Sequence, residues 1–135
     1  MKATDIMIND WCYNRKDSKH TPFQIKKIET KCVMDQNGCY TNLVDLSPIP
    51  LTPEILVEFG FENVRDREVF KLKLLSGGSY LGISFDSRED IDIYLQDDDT
   101  GSWPGYACYS LCSIKFIHEL QHILKLFGIN ENIKL

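Results

Sequence analysis

Short runs of apolar and β-forming residues, separated by polar turn residues, occupy the first fifty positions, a pattern typical of β-strands although the alternation within the runs is imperfect. The segment Asp35-Gln36-Asn37-Gly38 separates two of these runs, and Asn-Gly is a strong signal for a hairpin turn. We therefore expect a small, SH3-like antiparallel β-unit. Its expected strands are Trp11–Tyr13, Phe23–Glu29, Cys32–Met34 and Cys39–Thr41.

A proline-rich segment, 47–51, follows this β-unit, and its two alternate prolines favour an extended hinge. Thr52 is a suitable helix N-cap, and Pro53 suits the first helical position. Gly60 is placed to end the helix as a C-terminal cap. The pattern predicts a short helix over 53–59.

Three further segments alternate as strands, namely Val69–Leu74, Tyr80–Phe85 and Ile91–Leu95. A helix is predicted near the C-terminal end, because apolar residues recur there at helical spacing. This apolar arc consists of Phe116, Ile117, Leu120, Ile123, Leu124 and Phe127. The arc places His118 and His122 on the opposite, polar face of the helix.

These elements predict an α+β fold in three parts. The parts are a β-barrel-like unit over 1–47, a proline hinge with a short helix over 48–61, and an antiparallel sheet with a packed C-terminal amphipathic helix over 62–135. The alternative is that they form one continuous domain, which is compatible with a length of 135 residues.

The run His118-Glu119-Leu120-Gln121-His122 has the H-E-x-x-H spacing of zinc hydrolases. On a helix the two imidazoles lie one turn apart and can bind zinc, while the glutamate activates a water. A catalytic zinc needs a third protein ligand, and Glu131 is the only acidic side chain after this run. Lys115 and Lys125 share the helical sector of the histidines and oppose a dication. We therefore expect no metal and no catalytic residue here.

Cys108 and Cys112 precede the histidines in a C-x3-C-x5-H-x3-H series, which suggests a structural metal as another alternative. The five residues between Cys112 and His118 are too few for an ordinary zinc finger. The segment Tyr106–Cys112 instead reads as a strand that buries both thiols on one face, where they act as small hydrophobes.

Composition limits the classes of function. An apolar content of 43% is enough to form a core, and the net charge of −5 disfavours generic binding to nucleic acid or anionic membranes. No apolar stretch is long enough to span a membrane, and no signal peptide is expected. The five cysteines show no disulfide framework, so we expect reduced thiols and a cytoplasmic location.

Three segments together resemble a family of small uncharacterised proteins from gut Bacteroidetes and their phages or prophages. They are Asn9-Asp10-Trp11, the segment 48–56 with Gly60-Phe61, and Ile117–His122. The resemblance implies a phage or mobile-element protein in the cytoplasm of a bacterial host, and it assigns no catalytic residue.

The resulting hypothesis is a non-enzymatic binding protein that counters host defence by sequestering a signalling nucleotide or by blocking a host protein. Homo-oligomers are compatible with this hypothesis. Aromatic faces and cations suit a nucleotide, so the candidate ligand-binding residues are Trp103, Tyr106, Lys115 and Lys125. The alternative is a zinc-dependent hydrolase with His118 and His122 as ligands and Glu119 as the base.

Overall fold

The computed structural model describes residues 5–65, 68–74, 79–85, 91–97, 108–129 and 135. Within these ranges, ten strands and two α-helices follow one another, with a 3-10 turn at Leu43–Asp45. The elements are β1 Trp11–Asn14, β2 Pro22–Ile28, β3 Cys32–Asp35, β4 Tyr40–Asn42, β5 Leu46–Pro48, α1 Pro53–Glu58, β6 Glu62–Arg65, β7 Val69–Lys73, β8 Ser79–Phe85, β9 Ile91–Asp97, β10 Cys108–Ile114 and α2 Ile117–Leu126. The strands form two antiparallel sheets, so the fold is α+β as expected from the sequence.

The described residues group into two compact units. The first unit contains 5–50, 116–122 and 135, and the second contains the described parts of 51–115 and 123–134. The division after Pro50 lies inside the expected proline hinge. The three-part organisation inferred from the sequence stays a prediction.

The first unit contains a sheet with the strand order β4-β3-β2-β1-β5. Strand β1 lies between β2 and β5, with Cys12 opposite Phe23 on one side and Pro48 on the other. One face of the sheet forms the core of the unit. This core contains Ile6, Cys12, Phe23, Ile25, Val33 and Leu46, with Ile28 and Leu43 packed against it. The SH3-like assignment of this unit stays a prediction.

The β3–β4 hairpin is confirmed, and its turn chemistry explains it. Asp35 Oδ1 accepts hydrogen bonds from the backbone N–H groups of Asn37 at 2.7 Å and Cys39 at 2.9 Å. Gly38 has a φ of +83°, a left-handed conformation that glycine adopts without a steric penalty. The turn therefore serves the fold and needs no functional explanation.

The proline-rich segment is more than a connector. Residues 46–48 form strand β5, which the sequence did not predict because proline is disfavoured within a sheet. The strand lies at the sheet edge, where proline is tolerated. Beyond it, the carbonyl of Ile49 accepts the N–H of Ile117 at 2.9 Å, and Pro50 bridges to Phe116. The start of α2 is thereby tied to the first unit.

In the second unit, helix α1 begins at Pro53 as expected and ends within one residue of the expected position. Thr52 caps it through a 3.4 Å hydrogen bond from the N–H of Ile55, and Pro53 stands in the first turn. Gly60 follows the helix with a φ of +83°.

The sheet of this unit has the order β10-β9-β8-β7-β6. Strand β6 was missed because Glu62-Asn63-Val64-Arg65 contains a single apolar residue.

The prediction that both thiols of the last strand are buried is wrong for Cys112, whose side chain is exposed. Strand β10 lies at the edge of its sheet, and a bulge between Ser110 and Cys112 changes the alternation of its side chains. The strand also continues to Ile114, and α2 begins only at Ile117. Within the described residues, no helix is long and apolar enough to cross a membrane.

Candidate functional site

Glu119 of the H-E-L-Q-H run stabilises the helix that carries it. Its carboxylate accepts the backbone N–H of Phe116 at 3.0 Å. Phe116 immediately precedes α2, so this contact is one half of a capping box, in which the third helical residue reaches back to the cap. A negative charge in the first turn also interacts favourably with the helix dipole.

Gln121 is fully buried and holds the backbone of the Asn9-Asp10-Trp11 segment. Its Oε1 accepts the N–H of Trp11 at 3.1 Å, and its Nε2 donates to the carbonyl of Asn9 at 3.0 Å. Asn9 has a φ of +76°, a conformation that asparagine tolerates better than most residues. A single amide side chain therefore satisfies backbone groups on both sides of Asp10.

Asp10 is almost fully buried, and it joins the same turn to the helix. Its Oδ2 accepts the N–H of Met7 at 2.7 Å. Both carboxylate oxygens also lie close to His122 Nε2, at 3.0 Å for Oδ1 and 2.9 Å for Oδ2. Burial raises the pKa of this carboxyl, and the hydrogen bond from Met7 and the proximity of His122 only partly oppose that effect.

His118 is only 6% exposed, so the expectation that both histidines lie on the polar face opposite the buried arc is wrong for this residue. Its ring stacks on Phe116, with centroids 5.9 Å apart and planes at 13°, and meets the His122 ring edge-on at 5.8 Å. Its Nδ1 is buried without a hydrogen-bond partner among the described residues. Burial lowers the pKa of His118 because it disfavours the charged imidazolium.

The buried face of α2 is accordingly rotated from the arc that the sequence suggested. The fully or nearly fully buried residues are Ile117, His118, Leu120, Gln121 and Leu124, whereas Phe127, just beyond the helix, is exposed. Gln121 can be buried on this face because Trp11 and Asn9 offer it hydrogen-bond partners, and the half-buried His122 contacts Asp10. Such long-range partners are invisible to a hydrophobic pattern.

A zinc site would need three protein ligands and an open position. Among the residues that the structure describes, no group of three or more His, Cys, Asp or Glu side chains is placed to hold a metal ion. The polar groups of the run are also engaged, with Glu119 at the helix start and His122 at Asp10. The zinc-dependent hydrolase stays an alternative prediction.

Cys12, which follows the Asp10 turn, is buried in the first core. Burial and the neighbouring Asp10 carboxylate raise the pKa of its thiol to about 12. The thiolate is the nucleophilic form of cysteine. Cys12 is therefore a small apolar residue of this core whose thiol stays protonated near neutral pH.

Two of the four ligand-binding residues expected from the sequence lie within the described residues. Lys115 and Lys125 are exposed, which is compatible with contact to an anionic ligand. Trp103 and Tyr106 lie outside the described residues. The aromatic and cationic ligand site stays a prediction.

The second unit has a feature that the sequence did not reveal. A hollow of about 110 Å³ is lined by Pro53, Glu54 and Val57 of α1, Asn63 of β6 and Phe70 of β7. Val57 is 57% exposed despite being aliphatic. A helical periodicity could not indicate this surface from the sequence, since α1 has only six residues.

Comparisons with protein-family models, with curated proteins and with solved structures found no match for this chain. The resemblance to proteins of gut Bacteroidetes and their phages therefore stays a prediction from the sequence. Any proposal about function has to start from the geometry of the two units.

Proposed function

We propose that the chain is a non-enzymatic binding protein of a phage or mobile element that blocks a host protein. The observation that carries the proposal is the hollow beside the exposed Val57 in the second unit. Exposed aliphatic side chains around a concave surface favour contact with an apolar group of a partner.

The size of the hollow favours a protein partner over a nucleotide. Pockets for small ligands usually measure about 300–1,000 Å³. A cavity of roughly 150 Å³ takes a molecule as small as benzene. A hollow of about 110 Å³ is therefore suited to one aliphatic side chain, used as an anchor by a partner protein.

The charges on α1 indicate what surrounds this anchor. Glu54 lines the hollow, and Glu58 lies one helical turn further along, with both side chains exposed. The exposed carboxylate of Glu58 beside the hollow attracts Lys or Arg and repels acidic segments. The partner segment we propose carries an aliphatic residue flanked by basic residues.

The H-E-L-Q-H run supports a binding function over the hydrolase alternative. Glu119, Gln121 and His122 each have a structural role, at the helix cap, the Trp11 backbone and Asp10 respectively. A general base must be able to reach the proton that it abstracts. The contact of Glu119 with the Phe116 N–H accounts for this residue without catalysis.

Selection of displayed random peptides on the full-length protein tests the proposal. We expect enriched sequences to contain an aliphatic residue next to Lys or Arg. Val57→Asp should weaken the binding of a selected peptide roughly tenfold or more, because one aliphatic contact is replaced by a desolvated charge. Val44→Asp is the matched control, since Val44 is also exposed but belongs to the first unit.

Two results would count against the proposal. One is a set of peptides that binds the Val57→Asp and Val44→Asp variants equally well. The other is tight binding of a signalling nucleotide, measured by calorimetry with a panel of cyclic and linear nucleotides, together with no peptide enrichment. The second result would favour nucleotide sequestration.

A further inference from the structure

Val44 is an aliphatic side chain that a fixed turn presents to solvent. It is 69% exposed, and it stands in the middle of the 3-10 turn Leu43–Asp45. On one side, Leu43 packs against the core of the first unit. On the other side, Asp45 is buried, and its backbone carbonyl accepts the N–H of Arg15 at 2.9 Å. Because both neighbours are fixed, Val44 loses little conformational freedom when it contacts a partner.

Two cationic side chains lie beside this turn. Lys16 Nζ lies 2.8 Å from Asp45 Oδ2, and the guanidinium of Arg15 donates to the backbone carbonyl of Val44. Both cationic side chains stay largely exposed despite these contacts. Two cations and the single carboxylate of Asp45 leave one net positive charge. The surface around Val44 is therefore apolar at its centre and basic beside it.

This surface has the composition that the hollow of the second unit favours in a partner. The hollow of about 110 Å³ is suited to one aliphatic side chain, and the exposed carboxylate of Glu58 beside it attracts Lys or Arg. The isopropyl group of Val44 is smaller than benzene, which a cavity of roughly 150 Å³ accommodates. Arg15 and Lys16 supply the cations. The chain thus carries both an acidic hollow and a basic surface with a matching aliphatic side chain.

We propose that Val44 of one copy of this chain occupies the hollow of a second copy when no host partner is bound. The inference rests on the proposed function, since it uses the same hollow and the same recognition chemistry. The net charge of −5 on each copy opposes association in general. Repulsion between exposed charges is screened beyond about 8 Å at physiological ionic strength, so the opposite charges at the contact decide which surfaces meet.

The contact joins two different surfaces, so it is heterologous. A dimer formed in this way keeps one unoccupied hollow and one exposed Val44, and further copies can add to it. A single aliphatic side chain with a few charges makes a small contact, for which we expect a Kd of about 0.1–1 mM. A host segment that binds the hollow competes with Val44. Self-association and binding of the host partner therefore exclude one another at each hollow.

Sedimentation equilibrium of the full chain tests the proposal through a mixture of two variants. The average mass of the wild type should rise with concentration, whereas Val44→Asp and Val57→Asp should each stay monomeric alone, because each lacks one of the two surfaces. Their equimolar mixture should form a complex of two chains that grows no further. The reason is that the intact hollow of the Val44→Asp chain accepts the intact Val44 of the other chain.

Two further variants provide the controls. Leu126→Asp should self-associate like the wild type, although Leu126 is also an exposed aliphatic residue next to a lysine, Lys125. Glu58→Gln should lower the association constant by up to about fivefold, the range expected for an exposed ion pair. Val44→Ala and Val57→Ala replace the aspartate variants in the mixture if circular dichroism shows that an aspartate variant is unfolded.

Three results would overturn the proposal. They are a wild type that stays monomeric up to about 1 mM, a mixture of folded variants that stays monomeric, and a Val44→Asp variant that self-associates alone. Peptide enrichment by the hollow together with a monomeric mixture would leave the proposed function standing without self-association. A mixed dimer without peptide enrichment would do the reverse, and the hollow would then serve this chain alone.

Discussion

The carboxylate of Asp10 lies 2.9 Å from Nε2 of His122, a residue 112 positions further along the chain. Together with the hydrogen bonds of Gln121 to Trp11 and Asn9, this contact fixes the start of α2 against strand β1. Gln121 and His122 of the H-E-L-Q-H run therefore connect the helix to the rest of the first unit. Their roles follow from buried backbone groups and a buried carboxylate, each of which needs a partner.

Replacing Gln121 with alanine should destabilise the protein markedly. The N–H of Trp11 would lose the contact with Gln121, whereas the carbonyl of Asn9 would keep its hydrogen bond from Gln24. A hydrogen bond of this kind contributes about 0.5–1.5 kcal/mol to stability, and the cavity left by the side chain adds to the loss. Urea denaturation measures the change in the free energy of unfolding.

Gln36→Ala provides the control for this substitution. Gln36 also accepts a backbone N–H, from Gln24 at 2.8 Å, but it lies on the surface. Its loss should change the free energy of unfolding by less than about 0.5 kcal/mol. Equal effects of the two substitutions would show that burial of Gln121 is not what makes it important.

A double-mutant cycle should reveal coupling between Asp10 and His122. Truncation of His122 to alanine leaves the buried carboxylate of Asp10 without its imidazole partner and with the N–H of Met7 still bound. Asp10→Asn removes the charge while keeping an acceptor for that N–H. We therefore expect His122→Ala to be less harmful in the Asp10→Asn background, with a coupling energy of about 0.5–3 kcal/mol. Additive effects in urea denaturation would argue that the pair contributes no net interaction.

Local chemistry is what made parts of this fold predictable. Thr52, Pro53 and Gly60 define α1 through capping, and Asn37-Gly38 defines the β3–β4 hairpin through its turn. Each of these signals acts over a few residues, so it can be read without knowledge of the fold. Strand β5 was missed because a strand edge tolerates a proline that a central strand would not.

The contacts of Gln121 and His118 could not be predicted for a different reason. A helical pattern shows which positions lie together on a face, but not whether distant polar groups will lie against that face. The partners of Gln121 belong to the turn before β1 and to the first residue of β1, which are more than 100 positions from the helix in the sequence. The H-E-x-x-H spacing also suggested a metal site, although short motifs arise from structural roles too, such as the cap formed by Glu119.

Cys12 should resist alkylation in the folded protein. Its thiol is buried and has a pKa of about 12, so almost no thiolate is present near neutral pH. Cys39 is exposed and serves as the internal comparison. Mass-spectrometric mapping after iodoacetamide treatment should find Cys39 modified in native protein and Cys12 modified only in denaturant. Rapid modification of Cys12 in the native protein would show that the core of the first unit opens readily.

Acid should weaken the protein through His118. Burial holds the pKa of this histidine below its ordinary value of 6.5, so the unfolded chain binds the proton more readily than the folded chain. The stabilisation that comes from neutral His118 is fully present above the unfolded pKa, and it is lost as the pH falls through the lower folded pKa. Asp10 acts in the opposite sense, since its raised pKa makes the folded state gain stability as the pH falls towards 3.8.

The contribution of His118 can be separated from that of Asp10 by substituting His118→Gln, which removes the titrating ring and leaves Asp10 in place. Between about pH 7.5 and pH 5, the free energy of unfolding of the wild type should fall more steeply than that of the variant, because only the wild type has to protonate a buried imidazole. Urea denaturation at a series of pH values gives both curves, and an NMR titration of the His118 ring gives its folded pKa directly. Parallel curves, or a ring that titrates at or above 6.5, would mean that Nδ1 reaches solvent or a partner in solution. A steeper wild-type curve with a lowered ring pKa would instead establish that the first imidazole of the zinc-like run is a buried, neutral part of the first unit.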